Sequence, residues 1–130
     1  MLLYYYCTFH DVVCVAGYDA DRDTGAFVVP AFKQPAKFDG ARVLMSRESL
    51  TLRQMADIYT AETGEKTKVA YPPLSVLDGK APAELIETFR WFGAKGYYGG
   101  EGLGTTQALY EGPVGTSFRE YVRAGARFAA

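Results

Sequence analysis

The chain has 130 residues, 48% of them apolar and 15% aromatic, with 14 lysines and arginines against 15 aspartates and glutamates, a formal net charge of −1. That length fits one domain able to bury roughly two thirds of the surface its unfolded chain would expose. Scattered charges of both signs argue against a nucleic-acid-binding face or an acidic tail, and no apolar run reaches the about 20 residues that a membrane span needs.

The opening stretch "MLLYYYCTFHDVVCVAG" is apolar, but it carries no basic residue before Arg22, and His10-Asp11 interrupts it. A signal peptide would need a basic start and an unbroken apolar run, so the segment reads as cytosolic structure or as an ill-fitting start. Cys7 and Cys14 are too far apart for a CxxC redox pair. In one continuous strand their odd separation would set them on opposite faces, as buried free thiols. Val12 to Val15 reads as a strand leading into "YDADRDTG".

A helix is expected from about Asp23 to Gln34, capped by Asp23, with Phe27, Val28, Ala31 and Phe32 on one side. Pro30 should kink or shorten it, and Pro35 with "FDG" (38–40) should end it. "ARVLMS" (41–46) reads as a buried strand. Thr51-Leu52-Arg53-Gln54 spells a capping box, and Leu52, Met55, Ala56 and Tyr59 follow at helical spacing. Gly64 stands where a helix C′ glycine belongs. "KTKVAY" (66–71) alternates as a half-exposed strand does, and Pro72-Pro73 stops it. A further helix should begin near Pro82, bury Leu85, Ile86, Phe89 and Phe92, and end between Gly93 and Gly96. The last one opens on Ser117-Phe118-Arg119-Glu120, a second capping box, and turns Phe118, Tyr121 and Val122 inward. Helices alternating with short strands make the chain α/β or α+β.

Four constellations invite chemistry. "AKGYYGGEGLGTT" (94–106) is glycine-rich, but in GxGxxG terms Gly100 and Gly102 fit and the third position is Thr105. A dinucleotide loop also needs a strand before it and a helix after it, whereas here a helix precedes and a polar, helix-poor stretch follows. The loop therefore reads as a helix-terminating turn that needs positive φ. Asp19, Asp21 and Asp23 alternate as at the start of a calcium loop, yet position six is Thr24 and position twelve is Pro30, so the bidentate acid is missing. His10 is the only histidine, and its neighbours Asp11 and Cys7 lie at spacings that do not favour a catalytic pair. No tyrosine among Tyr59, Tyr71, Tyr97 and Tyr98 has a lysine four residues downstream. That leaves the aromatic cluster Phe89, Trp91, Phe92, Tyr97 and Tyr98. It is either core or a ligand- or partner-binding surface, with Trp91, Phe92, Tyr97 and Tyr98 as the candidate site residues.

The order of these pieces resembles the C-terminal part of NmrA-like proteins, atypical members of the NAD(P)-binding short-chain dehydrogenase/reductase superfamily. The resemblance is carried by "DADRDTGAFVVPAF", "PAKFDGARVLMSRESLTLRQMADIYTAETGEKTKVAY" and "FRWFGAKGYYGGE", and runs from about Asp19 to Val122. It implies an α/β fold of about four helices and a few short strands: the C-terminal lobe of a Rossmann-type protein, residues 19–130, behind an unplaced segment 1–18. The GxxGxxG unit with which such proteins open is absent, so no cofactor residue carries over, and no cofactor is expected for this chain alone, with NAD(P) belonging to full-length relatives. The resemblance further implies a non-catalytic module in the cytoplasm or nucleus, related to NAD(P)-sensing regulators that contact transcription factors. The alternative is the substrate-covering lobe of an NAD(P)H-dependent reductase for quinones or small aromatic compounds. A lobe separated from its partner should also expose an apolar surface, expected at the edge of "ARVLM", through which it would self-associate.

Overall fold

The computed structural model describes residues 2–4, 15–17 and 19–125. His10, Asp11, Cys7, Cys14 and the strand expected at Val12 to Cys14 lie outside the described residues. In chain order the elements are β1 (Leu2–Tyr4), β2 (Val15–Gly17), α1 (Ala20–Lys33), α2 (Pro35–Phe38), β3 (Glu48–Leu50), α3 (Leu52–Thr63), β4 (Lys68–Ala70), a 3-10 turn (Leu74–Leu77), α4 (Ala83–Lys95), α5 (Gly104–Leu109) and α6 (Phe118–Arg123). The protein is α/β and mostly helical. Six α-helices among the described residues replace the expected four, since α2, of four residues, and α5, of six, carry no strong sequence signal. None of the described helices is long and apolar enough to cross a membrane.

Two small sheets tie distant segments together. β1 pairs in parallel with β4, Leu3 opposite Val69, and β2 pairs antiparallel with β3, Ala16 opposite Ser49. The helical core centres on α3. Leu52, Ala56 and Tyr59 form its buried face, and Val122 of α6 is buried as well. Thr51 caps α3 with a reciprocal box: its hydroxyl accepts from Gln54 N while Gln54 Oε1 accepts from Thr51 N. Gly64 closes it at φ 74°, where a side chain would be strained. The Ser117 box opens α6 in the same way. Glu62 of α3 receives Arg119 and Arg123 of α6, the latter through Nε at 2.6 Å, and these charges draw the two helices together. The two arginines hold the Glu62 carboxyl below its ordinary range.

Several expectations are corrected. α1 starts three residues before Asp23 and is capped by Asp19, whose carboxylate accepts from the backbone of Asp21 and Arg22. It also continues through Pro30 to Lys33. Of its expected apolar side only Phe27 is buried, against Tyr110 in an edge contact with ring centroids 5.7 Å apart. Tyr110 donates its hydroxyl to Phe27 O at 2.5 Å, and burial pushes that hydroxyl above its ordinary pKa. Val28 is exposed, and so is Phe32, at 80% of its surface. In α4 and α6, Ile86 and Val122 are buried while Leu85 and Tyr121 face outward: short helices touch the core through a narrow stripe.

"ARVLMS" is not a strand. The segment buries Leu44 and Ser46, but its backbone is held by side chains and by a local Ser46 N to Leu44 O bond of 2.8 Å instead of a ladder. Thr106 Oγ1 accepts from Leu44 N at 2.9 Å, and Tyr98 donates to Met45 O at 3.3 Å. The open edge expected there is therefore absent from the described residues. Among the exposed apolar side chains are three on α1, Val28, Val29 and Phe32.

Candidate functional site

The four aromatic candidates sit where α4 turns into the glycine loop. Pro82 is the N-cap of α4, and the helix closes on Gly96 (φ 78°), whose N–H bonds to Phe92 O at 2.8 Å. Gly99 and Gly100 follow at φ 68° and 86°, and Gly99 N returns to Gly96 O in a tight turn. The loop thus reverses onto the helix that it ends. That reversal stacks Tyr97 on Phe92, with centroids 5.0 Å apart and planes 30° from parallel. Trp91 meets Phe92 edge-on at 5.7 Å, and Tyr97 meets Tyr98 edge-on at 5.1 Å. All four candidates therefore belong to one continuous aromatic run.

The ends of the run differ. Tyr98 is half-buried and points its hydroxyl at the 41–46 segment, whereas Trp91 and Tyr97 are 48% and 45% exposed. Phe92 is half-buried between them. Gly99 lies under the Trp91 ring: a Cβ built there would stand 3.7 Å from the indole carbons Cη2 and Cζ2. Only glycine combines that approach with its positive φ at no conformational cost. Beside the run, Ala83, Glu84, Glu87, Thr88, Arg90 and Trp91 line an open groove along α4. Of the four candidates, only Trp91 lines it.

The loop itself is fastened at several points. Glu101 pairs with Arg42, and Tyr98 bonds Met45 O. Immediately downstream, Leu103 and Thr106 are buried, Thr106 receiving Leu44 N. A helix, α5, begins in the last residues of the loop and runs on to Leu109, where a polar, helix-poor stretch was expected. Tertiary burial of Leu103 and Thr106 overrides weak local propensity there. The segment before the loop is the helix α4, as expected, so the strand–loop–helix unit that cradles a pyrophosphate is not formed. Sequence reasoning missed Arg42, Glu101 and Thr106. Their partners lie about sixty residues away along the chain, and no local pattern marks them.

The aspartates of "DADRDTG" are occupied within the fold. Asp19 caps α1, and Asp23, only 4% exposed, accepts from Thr116 N at 2.8 Å, Thr116 Oγ1 at 2.7 Å and Asp19 N at 3.0 Å. Burial acts to raise the Asp23 pKa, but the Thr116 and Asp19 bonds and the Arg22 charge outweigh it, so the carboxyl lies below its ordinary value. Among the described residues no three His, Cys, Asp or Glu side chains cluster as metal ligands would.

A family model, the NmrA-like family, matches residues 9–122. The chain belongs to the NmrA-like family. The matched span begins ahead of Asp19 and reaches into α6. Among solved structures this NmrA-like chain is similar to a crystal structure of NmrA, a negative transcriptional regulator, in complex with NAD, with a TM-score of 0.64 and 17% identity. The likeness covers 92% of this chain and 41% of that one, and at such identity it shows the fold alone. The chain therefore spans less than half the length of that relative. No curated protein matches it in sequence.

Proposed function

We propose that this NmrA-like chain corresponds to the C-terminal lobe of an NAD(P)-sensing regulator, with residues 19–130 forming the lobe and 1–18 preceding it. In this reading it is a non-catalytic binding module, acting in the cytoplasm or nucleus, that contacts a protein partner such as a transcription factor. One observation carries the reading: the family match runs over residues 9–122, while the NAD-bound NmrA chain of the same fold is more than twice as long. Two features support it. The sequence holds no GxxGxxG turn after an early strand. Val28, Val29 and Phe32 on α1 are exposed apolar side chains of the kind a dinucleotide-binding half would cover. Calorimetric titration with NADP tests the reading. The expected result is no measurable heat of binding, and micromolar affinity would overturn it.

A second reading rests on the Phe92–Tyr97 stack, a flat and half-open aromatic surface suited to a planar ring. In that reading the lobe covers a quinone or small aromatic substrate in an NAD(P)H-dependent reductase. Quinone-dependent NADPH oxidation by a full-length relative, lost on the equivalent of Tyr97→Ala or Tyr98→Ala, would favour it. An unchanged rate would return the tyrosines to a structural role.

A further inference from the structure

Residues 25–32 of α1 read Gly-Ala-Phe-Val-Val-Pro-Ala-Phe, a run without a polar side chain inside a 14-residue helix. Phe27 alone among them is buried. At about 100° per residue, Gly25, Val28, Val29 and Phe32 fall on the side of α1 opposite Asp23 and Phe27. All four are exposed, Phe32 most of all. The exposed charges of the helix, Asp21 and Arg22 before the run and Lys33 after it, frame an uncharged centre. That is the anatomy of an interface, whereas a solvated helix face carries polar residues throughout.

Two features of this face are costly for an isolated chain. Phe32 leaves most of a phenyl ring in water. Gly25 sits inside a helix, where glycine is less favourable than alanine, and the chain's own fold does not call for it. Its φ is not positive, and a Cβ built there would meet nothing within 4 Å. A single occupant accounts for both. Gly25 and Phe32 are seven residues apart, so they share one direction to within about 20° and stand about 10.5 Å apart along the axis. Pair two α1 helices antiparallel, with the two-fold axis between Val28 and Val29. Phe32 of each copy then stands over Gly25 of the other, and the valines meet their own counterparts at the centre. The largest protruding side chain meets the position that has none, twice over, and the glycines let the helix axes approach closely.

We infer that this face of α1 is a self-association surface whose occupant is a second copy of this chain, packed antiparallel about a two-fold axis. Asp23 with Thr116 and Phe27 with Tyr110 hold the opposite side of α1, so the face is presented by a fixed helix. Four positions a side fall short of the about 800 Å² per partner of a standard interface, so the dimer should be weak and concentration-dependent. The inference goes beyond the lobe reading, in which a dinucleotide-binding half would cover the same side chains, and the test separates the two occupants.

The test is sedimentation equilibrium of the full 130-residue chain from low micromolar to submillimolar concentration, with reductant present so that Cys7 and Cys14 cannot cross-link copies. A single monomer–dimer equilibrium is expected. Phe32→Ser and Gly25→Leu should each weaken it about tenfold or more, with the far-UV circular dichroism of the monomer retained. Gly25→Leu is the sharper of the two, because leucine favours the helix of the monomer yet fills the hole. Combining Gly25→Phe with Phe32→Ala exchanges knob and hole, and should recover the association that Phe32→Ala alone loses. Leu85→Ser, at an exposed apolar position on α4, should leave the equilibrium unchanged. A chain that stays monomeric throughout would overturn the inference, as would masses climbing past the dimer. So would a Gly25→Leu dimer as tight as wild type, or a loss at Leu85→Ser equal to that at Phe32→Ser. An NADP titration of the same samples keeps the readings apart: NADP binding defeats the lobe assignment and leaves the dimer standing, whereas a monomer that binds no NADP defeats only the self-association.

Discussion

Asp23 holds the segment before α6 against α1, and its removal should be among the costliest single polar changes in this chain. Its carboxylate gathers three donors in a site 4% exposed: two backbone N–H groups on Oδ2 and the Thr116 hydroxyl on Oδ1. Hydrogen bonds to a charged group contribute about 1.5–3 kcal/mol each, and neutral ones about 0.5–1.5. Asp23→Asn can keep all three contacts, with the amide oxygen at the Oδ2 position and the amide nitrogen donating to Thr116 Oγ1. It loses only the charge assistance, a cost of about 1–2 kcal/mol. Asp23→Ala leaves the donors without an acceptor and opens a small void, which should cost about 3–5 kcal/mol. Thr116→Val, which removes the hydroxyl bond and keeps the shape, should fall between these values, at about 1.5–3 kcal/mol. Urea unfolding followed by far-UV circular dichroism measures each difference. The sign of the pH dependence follows from the lowered pKa. The ionised carboxylate stabilises the fold above the ordinary value of 3.8, and that contribution is lost as pH falls through the still lower folded value. The gap between wild type and Asp23→Ala should accordingly narrow from pH 7 to pH 3. A cost below about 1 kcal/mol for Asp23→Ala, or a gap independent of pH, would refute the reasoning.

Two glycine substitutions separate strain from crowding. Gly64→Ala meets open space at φ 74° and should cost about 1–2 kcal/mol in chemical denaturation, purely through the left-handed backbone. Gly115→Ala should cost more at φ 92°, because its Cβ would lie 3.0 Å from Asp23 Oδ2 and 3.2 Å from a Phe27 ring carbon; a smaller loss than at Gly64 would mean that the 115–117 segment moves freely. Glu62→Gln should lower the Tm by a few degrees by weakening the Arg119 and Arg123 pairs across α3 and α6, and the loss should shrink in high salt. Ile86→Ala should destabilise by about 2–4 kcal/mol while Leu85→Ala stays close to wild type, an asymmetry that a thermal melt reads directly and that follows from which neighbour faces the core.

Local chemistry was legible in the sequence wherever it was self-contained. The Thr51 and Ser117 boxes, the Gly64 stop and the alternating strand before Pro72 each depend on residues within a few positions of one another, and each is present. Burial was less legible, because a helical stripe says which residues share a side but not how much of that side finds a partner. Phe27 and Phe32 stand five positions apart on α1, yet Phe27 is enclosed beside Tyr110 and Phe32 lies in the open. The 41–46 segment misled for a related reason. Its apolar run correctly marks Leu44 as inward, but whether such a run becomes a strand depends on finding a partner strand. Here Thr106 and Tyr98 supply the bonds from side chains instead.

The same distinction governs the site. The sequence named Trp91, Phe92, Tyr97 and Tyr98 from their proximity, and the turn at Gly96, Gly99 and Gly100 does bring them into one run. What proximity alone could not convey is that the run has two faces. Tyr98 donates its hydroxyl to Met45 O, so Tyr98→Ala perturbs the 41–46 segment as well as any binding surface. Trp91 and Tyr97 are the residues whose removal reports on recognition, because their exposed faces contribute least to the core. The glycines between them act as backbone devices that set this division. Gly96 ends the helix, Gly99 lets the chain lie against the indole, and Gly100 turns it toward Glu101, where Arg42 anchors the return. Gly99→Ala should therefore shift Trp91 emission and also cost about 1–2 kcal/mol through its left-handed backbone, as Gly64→Ala does.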